Sequence, residues 1–181
     1  SRRAPERRAG NGEHGSMSTT TIDLHEWLDS LSEIALHYAT HHLRFDRSAA
    51  PLGVAPPGAP RPAVYVSILG ARNSMYLGIA TTPDGARTLT RAFLGLRGPE
   101  ELADREVVDA LSEILNILSG KVKSRMAARD GTLKLGLPMF VSGSVGHGDG
   151  IEKATAEVML GPVPCQLQVF RQSRSAQGDA R

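Results

Sequence analysis

The chain has 181 residues, 40% hydrophobic and 22% charged, which suits one ordinary globular domain and excludes disorder throughout. The formal net charge of +2 is carried by the ends. Removing residues 1–16 and 171–181 leaves 14 basic and 16 acidic residues over 17–170, so the basic face expected of a nucleic-acid binder is missing. One cysteine, Cys165, excludes an internal disulfide and points to a reducing, cytoplasmic setting, and no apolar run has the length of a membrane span.

Residues 1–16, SRRAPERRAGNGEHGS, are basic but have no apolar stretch, so they are not a secretory signal. With Met17 next, residues 1–20 are expected to be a leader outside the fold, 21–171 one domain, and 172–181 a disordered tail. From Thr21 to about Arg44 the apolar residues Leu24, Trp27, Leu28, Leu31, Ile34, Ala35 and Tyr38 recur at three and four, predicting a helix capped by Thr21 or Asp23. The stretch SAAPLGVAPPGAPRP reads as a loop. Ala63–Gly70 and Met75–Thr81 predict two strands joined by a turn at Ala71-Arg72-Asn73-Ser74. Pro83 opens a second helix, predicted to reach about Leu96 and to stop at Gly98-Pro99.

A long helix over 105–128 follows, with Val107, Val108, Leu111, Ile114, Leu115, Leu118, Val122 and Met126 on its apolar arc and Asp130-Gly131 expected to close it. Leu133–Val141 reads as a strand containing Pro138. SGSVGHGDG (142–150) reads as a loop, and Thr155–Leu160 with Gln166–Phe170 as a hairpin around Gly161-Pro162-Val163-Pro164. The order α, β, β, α, α, β, β, β suggests a duplicated unit. Asp29–Leu36 aligns with Asp109–Asn116 at five identities in eight, and at the last position Leu36 stands against Asn116.

On a helical wheel Asp109, Glu113, Asn116 and Gly120 fall within roughly 60° of one another, opposite the apolar arc. A solvated face is the ordinary explanation of such a stripe. Asn and Gly in mid-helix argue otherwise, because each costs some tenths to ~1 kcal/mol relative to better helix formers. A glycine there would admit close approach by another molecule.

Residues 101–142 resemble the CheX-type members of the CheC/CheX/FliY family. The family pattern is an Asp or Ser, three residues, Glu, two residues, Asn, and a Pro about two dozen positions on. Here it is Asp109, Glu113, Asn116 and Pro138, with 21 residues between the last two. The resemblance implies an α/β fold built on a duplicated α-β-β unit, with an antiparallel sheet and long helices packed on it. The implied activity is hydrolysis of the aspartyl phosphate of a CheY-like response regulator. Asn116 would position water, and Glu113 would dock against the regulator's active-site lysine. Asp109, Gly120 and Lys123 are expected to bind the partner. The resemblance further implies Mg²⁺ on the receiver, no cofactor or metal on this chain, and a homodimer joined by strand exchange or sheet extension. A non-catalytic receiver-binding or self-assembling module of the same fold is the alternative.

Other features suggest less. His37 and His41 have the spacing of a helical metal pair, with His42 beside them, but lack an acidic or cysteine third ligand. GSVGHGDG lacks the lysine of a phosphate loop. Ser112 and Ser119 have no partners of a hydrolase triad, and Cys165 suits a small buried strand residue.

Overall fold

The structure, a computed structural model, describes residues 21–45, 50–54, 61–71, 73–98, 101–142 and 150–172. The leader 1–20, Arg72, Pro99, most of the 142–150 loop and the tail from 173 lie outside the described residues. Eight elements follow in the expected order: α1 Leu24–His41, β1 Ala63–Leu69, β2 Ser74–Thr81, α2 Pro83–Leu94, α3 Asp104–Met126, β3 Lys134–Val141, β4 Ile151–Leu160 and β5 Val163–Gln172. The strands form one antiparallel sheet in the order β3-β1-β2-β5-β4.

Alternation along the strands sets the core. Val64, Val66 and Ile68 of β1, Met75, Leu77 and Ile79 of β2, and Cys165, Leu167 and Val169 of β5 all point to the helices and are almost wholly buried. Ala63, Tyr65, Ala80 and Phe170 form a smaller cluster on the other face. Helix α1 lies over β4 and β5, α3 lies over β3 and β1, and α2 fills the flank of α3 against β5.

This arrangement fits a duplicated unit. The pair Ala63↔Ala80 of the β1–β2 hairpin and the pair Lys153↔Phe170 of the β4–β5 hairpin differ by one sequence offset. Gly78↔Gln168, in the middle of β2–β5, is separated by that same offset. An approximate two-fold through that pair therefore exchanges the hairpins, and each helix covers the hairpin of the other unit. Helix α2 and strand β3 stand outside the repeat.

Several predicted boundaries move. Helix α2 ends at Leu94, because Gly95 takes the left-handed conformation (φ 71°) and stops it before Gly98-Pro99. Helix α3 ends at Met126 with Ala127 as a right-handed C-cap, so Asp130-Gly131 does not close it. Asp130 is instead fully buried: Asn73 Nδ2 donates to its Oδ2 at 2.8 Å, and Thr132 N–H donates to its Oδ1 at 3.0 Å. Asn73 Oδ1 in turn accepts from Ile22 N–H at 3.0 Å, so this cluster joins the β1–β2 turn, the entry to α1 and the exit of α3. Strands β4 and β5 are longer than predicted and turn tightly at Gly161-Pro162, where Gly161 has φ 60°. Asp23 caps α1 by accepting from His25 N–H at 2.8 Å, which settles the choice against Thr21.

Candidate functional site

Helix α3 is a straight consequence of its periodicity. Glu106 Oε2 accepts from Ala103 N–H at 2.8 Å and fixes the first turn. Leu111, Ile114, Leu115, Leu118 and Val122 are at most 2% exposed, each such burial contributing about 1.5–3 kcal/mol. That packing holds 23 residues as a rigid rod whose opposite face is left to solvent.

On that outer face the residues singled out from sequence are brought together. Glu113 is exposed and Asn116 half-buried, and neither side chain makes a hydrogen bond or ion pair to another of the described residues. Asn116 lies on the side of α3 away from the buried arc, so the exposed part of its amide can present both a donor and an acceptor to an incoming molecule. Asp109 is exposed and faces Arg105 at 3.6 Å, an i,i+4 surface pair worth little to the fold. Gly120 and Lys123 continue the same face and are half-buried. A side-chain Cβ built at Gly120 would meet no atom of the described residues within 4 Å beyond the helix's own backbone, so the packing of those residues does not call for glycine there. The Ser124 hydroxyl donates to the Gly120 carbonyl at 2.9 Å.

Helix α1 runs antiparallel beside α3 and is tied to it by ion pairs. Arg125 donates to both carboxylate oxygens of Glu33, at 2.6 and 3.4 Å, and Arg129 pairs with Glu26. Arg125 holds the Glu33 carboxyl below its ordinary range through hydrogen bonding and charge. Tyr38 of α1 sits close enough to Glu113 to sense it: burial first, and then the Glu113 charge, push the Tyr38 hydroxyl up. Sequence reasoning did not find Tyr38 as a neighbour of the site, because only the side-by-side packing of α1 and α3 places it there. Leu36, aligned with Asn116, is 45% exposed.

Pro138, the last member of the motif, lies in edge strand β3 opposite Val66, a place where a missing N–H is tolerated. It carries no chemistry of its own. His37 and His41 stack with centroids 4.1 Å apart, and His41 Nδ1 donates to the His37 carbonyl at 2.8 Å. Among the described residues no three His, Cys, Asp or Glu side chains come together as a metal site. Cys165 is buried, and burial pushes its thiol up to about 12. A cavity of about 410 Å³ between α2 and the approach to α3 is lined by Arg87, Arg91, Glu101 and Leu102. Arg87 there donates to the Leu102 carbonyl and to Asp104, and Arg91 to the Gly98 carbonyl, so the cavity is structural. No described helix is long and apolar enough to cross a membrane.

The family described as chemotaxis phosphatase CheX matches residues 63–153, half of the chain, including all of α3. Among curated proteins nothing matches. Solved structures do. The chemotaxis protein CheX of Vibrio vulnificus is 20% identical with a TM-score of 0.54, over 82% of this chain and 95% of that one. A putative chemotaxis protein of Desulfovibrio vulgaris Hildenborough is 14% identical with a TM-score of 0.59, over 81% and 97%. The CheX of Borrelia burgdorferi, solved in a CheX–CheY–BeF3–Mg²⁺ complex, is 16% identical with a TM-score of 0.57, over 83% and 99%. At such identities the likeness is one of fold, and the near-complete coverage says that the whole domain is shared. On the family match, with the fold in agreement, this chain belongs to the CheX family of chemotaxis phosphatases.

Proposed function

We propose that this chain hydrolyses the aspartyl phosphate of a CheY-like response regulator, with Asn116 positioning the attacking water and Glu113 docking the regulator. The observation that carries the reading is the outer face of α3, where a carboxylate and an amide, both unpaired among the described residues, stand one turn apart on a rigid helix in a member of this family. The relative solved with CheY, BeF3 and Mg²⁺ supports a receiver as the partner. Water attacks phosphorus in line, the bond from phosphorus to the aspartate oxygen breaks, and inorganic phosphate leaves the free carboxylate behind. An amide suits the water-positioning task because it accepts from and donates to the nucleophile without titrating. Glu113, with no hydrogen bond or ion pair among the described residues, is available to a lysine of the receiver. In this reading Mg²⁺ is held by the receiver, the chain supplies no cofactor, and both act in the cytoplasm.

The test is phosphate release from a panel of phosphorylated receivers of the same organism. Release above each receiver's own rate by at least one of them is expected. Binding without any acceleration would establish the non-catalytic module in its place.

We assign the chain in addition to a homodimer built on β3. This strand is one of the two sheet edges, with Leu137 87% and Met139 53% exposed, and an apolar edge unpaired among the described residues is a template for a second copy. Light scattering is expected to give twice the chain mass, and Leu137→Lys to give one.

A further inference from the structure

Gly120 has none of the reasons that glycines usually have inside a protein. Its φ is not positive, so the backbone there suits any residue. Its surroundings do not demand it either, since a Cβ would meet nothing within 4 Å among the described residues beyond the helix's own backbone. The other described helical glycine, Gly85 in α2, is different: a Cβ there would lie 2.9 Å from Val163 Cγ1, so packing excludes a side chain. Within this chain, then, glycine at 120 only weakens α3, and alanine would strengthen it. The position lies one turn beyond Asn116 on the same outer face, and the Ser124 hydroxyl is drawn onto its carbonyl and not outward over the gap.

We infer that Gly120 is the point where the phosphorylated receiver comes against the backbone of α3, and that its missing side chain sets how deeply the Asn116 amide enters. This rests on the function proposed above. A Cβ at 120 would hold the partner's surface off by about the width of a methyl group. In-line attack is sensitive to such a displacement, a misplacement of about 1 Å being able to cost on the order of 10²-fold in rate. Receiver affinity would suffer less from a small side chain than turnover does, because the rest of the interface can still form.

The experiment compares Gly120→Ala and Gly120→Leu with wild type in three readouts. Thermal unfolding of the free protein is expected to rise by ~2–4 °C for Gly120→Ala. Phosphate release is expected to fall ~5-fold or more for Gly120→Ala and ~10²-fold for Gly120→Leu. Binding to a receiver loaded with beryllofluoride and Mg²⁺ is expected to change little for Gly120→Ala and to weaken by ~10-fold for Gly120→Leu. Variants that are more stable and as active as an active wild type would overturn the inference while leaving the phosphatase reading intact. A wild type that binds the receiver without turnover would remove the phosphatase reading, and the inference would then stand or fall on the binding series. A wild type that binds no receiver would overturn both.

Discussion

Helices α1 and α3 share five of eight residues over Asp29–Leu36 and Asp109–Asn116, and the fold surrounds the two segments differently. In α3 the glutamate of that segment, Glu113, has no ion pair among the described residues. In α1 the equivalent Glu33 is taken up by Arg125, which reaches across from α3 itself. The last position diverges in the same sense, with Asn116 half-buried and polar and Leu36 exposed and apolar. A carboxylate already engaged within the fold must give up that pair before it can serve a partner, whereas an unpaired one is available at once. Two glutamates at one position of a repeat thus differ in availability, because the neighbour in the fold decides whether the side chain is engaged.

The largest break in the comparison is expected from Asn116→Ala. Turnover of a phosphorylated receiver should fall on the order of 10²-fold while receiver affinity stays within a few-fold, since the amide acts on the transition state more than on the bound state. Measuring both on one preparation decides the role. Activity that survives the loss of the amide would refute water positioning by α3. Glu113→Ala should reduce turnover and affinity together, each by about 10-fold, because a docking charge contributes before the chemistry starts. An unchanged affinity, read by titration against the loaded receiver, would remove the docking role.

Leu36 tests the other helix. Leu36→Ala is expected to leave phosphate release within about 2-fold of wild type, since α1 has the position but not the amide. A large loss would mean that α1 and α3 form one extended centre and that the asymmetry drawn above is wrong.

Much of this was legible in the sequence, for identifiable reasons. The apolar arc of α3 recurs from Val107 to Met126, so it placed Glu113 and Asn116 on the outer face unaided. Helix ends were less legible. Gly95, Gly98 and Gly131 all stand near predicted ends, and only the backbone decides that Gly95 takes the positive φ. The early part of β4 escaped notice because Glu152 and Lys153 obscure its alternation, and they are polar because one contacts Arg171 and the other lies over the Phe170 ring. The setting of Glu113 was beyond any one-dimensional reading. Tyr38 and Arg125 belong to the seam between helices far apart in the chain, and nothing in the local sequence of either signals the other.

The smallest expected effect concerns that seam and separates the two glutamates by their pH dependence. The folded protein holds the Glu33 carboxyl below its ordinary value of 4.5, chiefly through the hydrogen bond and charge of Arg125. A carboxyl depressed on folding stabilises the fold above its unfolded value, and that contribution is lost as the pH falls through the lower folded one. The Glu33–Arg125 pair should therefore be fully in place at neutral pH and fade only below about pH 4.5. Glu33 is largely exposed and Arg125 nearly half exposed, so the change is small and screened by salt. Glu33→Gln is expected to lower the melting temperature slightly at pH 7 and to converge with wild type as the pH falls towards 3. Glu113→Gln is the matched comparison, since it removes a carboxylate that makes no ion pair among the described residues. Its melting temperature should stay with wild type at pH 7, with receiver docking as the property lost. If Glu33→Gln instead matched wild type at every pH while Glu113→Gln destabilised the free protein, the assignment of one glutamate to the fold and the other to the partner would have to be reversed.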